Sequence, residues 1–220
     1  MKKVLVLVVA AAVLAAPAFG AILGSKHDLS SKTGTSAFKD TAASPGSETC
    51  VFCHTPHGAV TGILAPLWNR SIPGAVLTQL YNSATLDQTY SRPGVVSTAV
   101  NNSDAPLCLS CHDGAGLSKA LLNPSNTDGA PTNANITGAG LIGTDLRNDH
   151  PIGMSYASVQ GADTAGFNAS PDARLTLYTA SNVMWCSTCH DVHNQGAPGV
   201  AALLNMSNTG SALCVSCHIK

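Results

Sequence analysis

The sequence predicts mostly coil with short α-helices and little β structure, and three observations support that reading. Aromatic residues make up 5 % and charged residues 10 % of the 220 positions, and Gly, Ser, Thr, Asn and Pro fill the intervals between the apolar ones. Such a composition favours loose structure unless something other than side chains supplies a core. Helical or alternating periodicity is confined to short stretches. Finally, all eight cysteines fall in four motifs: Cys50-Val-Phe-Cys-His54, Cys108-Leu-Ser-Cys-His112, Cys186-Ser-Thr-Cys-His190 and Cys214-Val-Ser-Cys-His218.

CxxCH is the attachment signature of a c-type haem. Residues i, i+3 and i+4 share one face of a helical turn. The thiol pairs Cys50 and Cys53, Cys108 and Cys111, Cys186 and Cys189, and Cys214 and Cys217 can therefore bond haem vinyl groups while the next imidazole points at the iron. Two zinc sites or redox-active CxxC pairs are the rival reading. Histidine is 8 of 220 residues, so four chance successes after CxxC come at about 2 in a million. The sequence is read as holding four haem c groups. They supply the missing core, and the polypeptide wraps them.

His54, His112, His190 and His218 are the proximal iron ligands by motif, which leaves His27, His57, His150 and His193. An iron porphyrin takes two axial ligands, and eight histidines match eight axial positions, so these four are read as distal ligands. Met154, Met184 or Met206 could replace one of them, although thioethers more often serve packing.

The N-terminus reads as a signal peptide over residues 1–20: Met1-Lys2-Lys3, an apolar run from Val4 to Ala16, then small residues near Pro17 and Gly20. Export agrees with haem c attachment outside the cytoplasm, so the protein is expected to be secreted, extracellular or at the cell surface, with the periplasm as the alternative. No later stretch is long enough to cross a bilayer. A net charge of −1 gives no steering toward nucleic acid, and little repulsion opposes self-association.

Along the chain, each motif is predicted to form a short helical turn. Start signals precede three of them: Ser103-Asp104 with Pro106, Ser181-Asn182, and Ser211. Val76, Leu77, Leu80 and Tyr81 predict a helix near 75–82. The alternation in Arg174-Leu-Thr-Leu-Tyr178 predicts a short strand. Residues 123–149 read as a long surface loop. Sequons at Asn69, Asn101, Asn135, Asn168 and Asn205 read as incidental in so Asn- and Ser-rich a chain. The ligand order repeats: a lone histidine (27, then 150), CxxCHxxH (50–57, then 186–193), and a plain CxxCH (108–112, then 214–218). This predicts two dihaem modules, 22–115 and 145–220, joined by a loop-rich linker at 116–144. The Cys186 and Cys214 haems should be near neighbours.

In CxxCHxxH the second histidine starts on the same face of the haem as the first. His57 and His193 are therefore expected to serve other haems than those of His54 and His190, which packs the macrocycles closely. Their alternative role is hydrogen bonding to haem propionates. Two imidazoles per iron leave no vacant position for a substrate, so the sequence reads as an electron-transfer protein and not an enzyme, with other haem proteins as electron donor and acceptor.

The motifs above, with Pro66-Leu-Trp-Asn69, Asn148-Asp-His-Pro-Ile-Gly153 and Lys26-His27-Asp-Leu29, resemble multihaem c-type cytochromes of the doubled-CxxCH type. Within that group they resemble extracellular tetrahaem cytochrome nanowires of the OmcE type. The resemblance implies stacked haems in a filament for extracellular electron transfer, with one distal histidine donated by a neighbouring subunit. His27, which precedes every motif, is the candidate for that role. The competing readings are a monomeric periplasmic electron shuttle and a subunit of a multihaem oxidoreductase.

Overall fold

The computed structural model describes residues 22–41, 46–72, 81, 103–117, 121–129, 135–178, 182–194 and 203–219. The signal peptide at 1–20, the helix expected near 75–82 and the Asn101 sequon fall outside those residues, apart from Tyr81. Most of what is described is coil and turn. Four short α-helices, α1 (Ala105–His112), α2 (Tyr156–Ala162), α3 (Cys186–Cys189) and α4 (Ala212–Val215), accompany a 3-10 turn at Thr49–Phe52 and two others. Strands β1 (Met154–Ser155) and β2 (Val183–Met184) pair antiparallel, Met154 opposite Met184 and Ser155 opposite Val183.

Every CxxCH motif lies on one of the helical turns, as the sequence predicts, but the start signals differ. The α1 helix opens where Ser103 Oγ accepts the Ala105 N–H at 3.2 Å, and Pro106 sits in the first turn, where a missing N–H costs nothing. At α3 the signal is closer than Ser181-Asn182: the Trp185 N–H donates to Thr188 Oγ1 at 3.1 Å. Ser211 precedes α4 in a left-handed conformation with no side-chain cap.

The strand expected over 174–178 does not form. Only Tyr178 makes a bridge, to Val183, because β2 is two residues long and its other neighbour is β1. Leu175 is buried nonetheless, so the alternation marks a buried side and not a ladder. The described parts of the stretch, 123–129 and 135–149, are largely loop, with a 3-10 turn at Gly138–Gly140, and the first part is tied down. Asp128 accepts hydrogen bonds from Ser31 N–H at 2.9 Å and from Glu48 N–H at 3.1 Å. Gly129 N–H donates to Asp40 at 2.7 Å. Much of the segment read as a linker is thus hydrogen-bonded into the first half of the chain.

The apolar core is small: Ala105, Leu109, Leu146 and Trp185, with Ile152, Tyr178, Val183 and Cys186 against it. The largest fully buried side chains are Asn69, Thr188, Asp28, Asp40, Asp128 and Ser30, all polar. Buried polar groups need partners, and a domain whose interior is chiefly hydrogen-bonded backbone has little apolar burial of its own. The fold places that scarce core between the second and third motifs.

Candidate haem centres

All eight cysteines are unpaired thiols. Among the described residues no three or more His, Cys, Asp or Glu side chains converge as a zinc tetrahedron requires. The histidines come together in pairs instead. His27 and His112 have ring centroids 6.0 Å apart, His54 and His193 6.3 Å, and His150 and His218 6.4 Å. A metal bound by two imidazoles at about 2 Å each sets their centroids roughly 6 Å apart. Each pair therefore fits one iron between two rings.

The protonation pattern agrees. His54 Nδ1 lies 2.7 Å from the Pro66 carbonyl, His112 Nδ1 2.6 Å from Gly140, and His190 Nδ1 3.2 Å from Leu203. A carbonyl only accepts, so Nδ1 carries the proton and Nε2 keeps its lone pair. This is how a metal-binding imidazole is held in one tautomer. His193 Nδ1 faces the Asp191 carboxylate at 3.7 Å. His27 Nδ1 is buried without a hydrogen-bond partner, and burial, then the charges of His112 and His190, hold its pKa below the ordinary value. A neutral imidazole is the form that ligates iron.

A cavity of about 370 Å³ opens beside the fourth motif, with Cys214, Cys217 and His218 on one side and His150 across from them. Met154 and Phe167 are among its apolar walls. Apolar walls with a few converging polar groups suit a flat cofactor. Met154 and Met184 line this cavity, and Met206 is buried.

The attachment turns are clamped by asparagines that sequence reading set aside. Asn69 N–H donates to the Cys53 carbonyl at 2.9 Å, and its Nδ2 donates to Val51 at 2.7 Å. Asn205 N–H donates to Cys189 at 3.0 Å, with Nδ2 on Ser187 at 2.8 Å and Thr188 at 3.0 Å. Asn168 repeats the arrangement on Cys217 at 2.9 Å, with Nδ2 on Val215 at 2.9 Å and Ser216 at 3.0 Å. In each case the preceding residue (Trp68, Leu204 or Phe167) bridges the backbone of that motif's histidine. These three sequons therefore have a structural purpose. The available signal was an apolar-Asn pair at one fixed distance after both CxxCHxxH motifs. Leu67 and Leu203 also both adopt positive φ, 55° and 66°, so the two CxxCHxxH segments share a fold in detail.

The second motif is held differently. Arg70, 5 % exposed, donates from one terminal nitrogen to Ser110 O at 3.1 Å and Gly116 O at 2.7 Å. Gly116 is required here, since a Cβ would collide with the Ser110 carbonyl.

Consecutive motifs are neighbours. Cys53 is pushed up to about 12 by burial and then by Cys111. Cys108 stands well above the usual thiol range, first through a hydrogen bond shared with Cys186 and then through burial. Asp104, which precedes α1, accepts the Ser187 N–H. Burial raises Cys189, with Cys217 and Cys214 adding to it.

Residues 180–220 match the doubled CXXCH motif family. The matched segment holds the third and fourth motifs and carries the haem-attachment signature of multihaem c-type cytochromes, with covalently bound haem c and electron transfer as the chemistry. No relative among curated proteins matches the chain. The matched segment contains His190, His193 and His218, and the rings paired with His193 and His218, those of His54 and His150, lie outside it.

His27, suggested as a ligand for a neighbouring subunit, stands beside His112 of its own chain. Its segment is folded back by Asp28, which accepts hydrogen bonds from Gly24 N–H at 2.8 Å and Ser30 N–H at 3.1 Å. Among the described residues, His57 and His190 have no histidine ring partner, and both are exposed.

Proposed function

We propose that the chain is an exported tetrahaem c-type cytochrome that carries electrons through closely packed bis-histidine haems. The observation that carries this reading is the trio of histidine pairs spaced 6.0–6.4 Å apart. Bound haem would supply a one-electron iron couple. The chain's own residues attach it through the four cysteine pairs, orient the proximal imidazoles through backbone carbonyls, and seat each motif against the next. The two dihaem modules, 22–115 and 145–220, belong to the same proposal.

We also propose self-association into an extracellular filament. Among the described residues His190 makes no ring contact with another histidine, although it stands near enough to His27 to act on it, and His57 is the exposed histidine left over. His57 of one copy completing the His190 centre of the next would account for both. It takes the role that the sequence suggested for His27. The same observation favours a second reading, an oxidoreductase subunit whose iron at His190 stays open to substrate.

Intact mass first tests for four haems on the purified protein. Electron microscopy of surface-sheared material, with His57→Ala as the comparison, then separates the two readings. Filaments that His57→Ala abolishes support the wire. Dispersed particles with a high-spin centre that binds carbon monoxide support the open iron. Dispersed particles with four low-spin centres would favour the periplasmic shuttle.

A further inference from the structure

Arg70 is a buried cation that the electron-transfer reading leaves unused. Among the described residues no carboxylate pairs with it, and its Nε is buried without a partner. A buried charge without a counter-charge is costly. Two carbonyls could be satisfied by a neutral amide. What a neutral donor cannot supply is the charge.

Its position is specific. Asn69, the adjacent residue, holds the Cys53 carbonyl at 2.9 Å. Arg70 itself holds the carbonyl of Ser110, which directly precedes Cys111, at 3.1 Å. One dipeptide thus fastens the first attachment turn to the second and places a fixed positive charge between them. The guanidinium sits against the second attachment turn through Ser110 and Gly116, and its backbone neighbour Asn69 sits against the first. Two carboxylates stand at the second motif: Asp113, directly after His112, accepts the Gly116 N–H, and Asp104 precedes α1.

We propose that Arg70 raises the reduction potentials of the haems attached at Cys50–Cys53 and Cys108–Cys111, an inference that rests on haem attachment at those motifs. Reduction of Fe(III) to Fe(II) adds one negative charge. A cation fixed in a low-dielectric site stabilises the product of that step. The first two centres are thereby made better electron acceptors than their surroundings alone would make them.

The test is a spectropotentiometric titration of the full-length protein with dithionite as reductant, comparing wild type, Arg70→Gln and Arg70→Lys. Intact mass comes first: a wild type without haem on these cysteines would defeat the haem reading and not this inference. Arg70→Gln keeps donors for the carbonyls and removes the charge. Two of its four one-electron steps should move to lower potential while the other two hold, and Arg70→Lys should stay near wild type. Four unmoved steps in Arg70→Gln, or equal shifts in both variants, would overturn the proposal. If Arg70→Gln fails to retain its haems, Asp113→Asn is titrated instead. It removes the opposing carboxylate and should raise one step; an unmoved titration overturns the electrostatic argument.

Discussion

His193 faces His54 with ring centroids 6.3 Å apart and planes 22° from parallel. This pair, whose planes are near parallel, joins the tail of the third motif to the first. It is the one pairing that spans the two CxxCHxxH segments. It follows that His193→Ala should keep every thioether and lose one axial ligand. We expect an unchanged haem mass and the appearance of one high-spin signal in the electron paramagnetic resonance spectrum. Unaltered low-spin spectra would remove His193 from the ligand set.

The asparagine clamps invite a second test. Asn205→Asp keeps the shape but cannot donate to the Ser187 and Thr188 carbonyls, and it points a carboxylate at them. Leaving buried carbonyls unpaired costs about 1–3 kcal/mol. For a chain of this size that corresponds to a fall in Tm of roughly 2–4 °C per kcal/mol, readable by circular dichroism on fully haem-loaded protein. Asn69→Asp should behave alike at the first motif.

Gly116→Ala addresses the second motif. The added methyl meets the Ser110 carbonyl, so the turn after α1 must open and draw the Gly116 carbonyl away from Arg70. Overpacking of this kind costs about 1–3 kcal/mol. Haem content by pyridine haemochrome should fall toward three per chain, with the deficit mapped to the Cys108–Cys111 peptide by mass spectrometry.

Alkaline stability offers a fourth. Tyr156 is pushed up to about 12, by burial first and then by Cys217, whereas an unfolded tyrosine titrates near its ordinary value of about 10. Between these values the unfolded chain loses a proton that the folded chain keeps, so stability falls as pH rises through that window. Tyr156 Oη also donates to the Asn168 carbonyl at 2.7 Å, so Tyr156→Phe should be less stable at neutral pH by about 1 kcal/mol. Urea unfolding at pH 8 and pH 11 should show the wild-type advantage shrinking at the higher pH. A constant gap would contradict the assigned shift.

The class of fold was legible because CxxCH spacing and sparse periodicity are local properties. The helical turns at the motifs needed nothing beyond the chain segment that carries them. Long-range relations were not legible. Nothing near His27 announces that Asp28 folds its segment back toward His112. The strand expected at 174–178 failed for a related reason, since alternation reports burial and a ladder needs a partner of sufficient length. Asn69, Asn168 and Asn205 escaped notice because a sequon pattern describes them fully at the level of sequence. Their purpose appears only when the carbonyls of a distant turn are brought beside them. Arg70 was hidden likewise, as one of few charges in a chain of low charge.

The polar interior has a consequence for how the protein is made. With Asn69, Thr188 and four other polar side chains as the largest fully buried groups among the described residues, apolar burial alone gives the polypeptide a modest drive to collapse. The thiols of Cys53, Cys108 and Cys111 are half-buried in the finished structure, so haem ligation is easiest while the chain is still open. Maturation and folding are thereby coupled. On the tetrahaem reading proposed above, a cell short of haem is expected to hold little of this protein in an empty form.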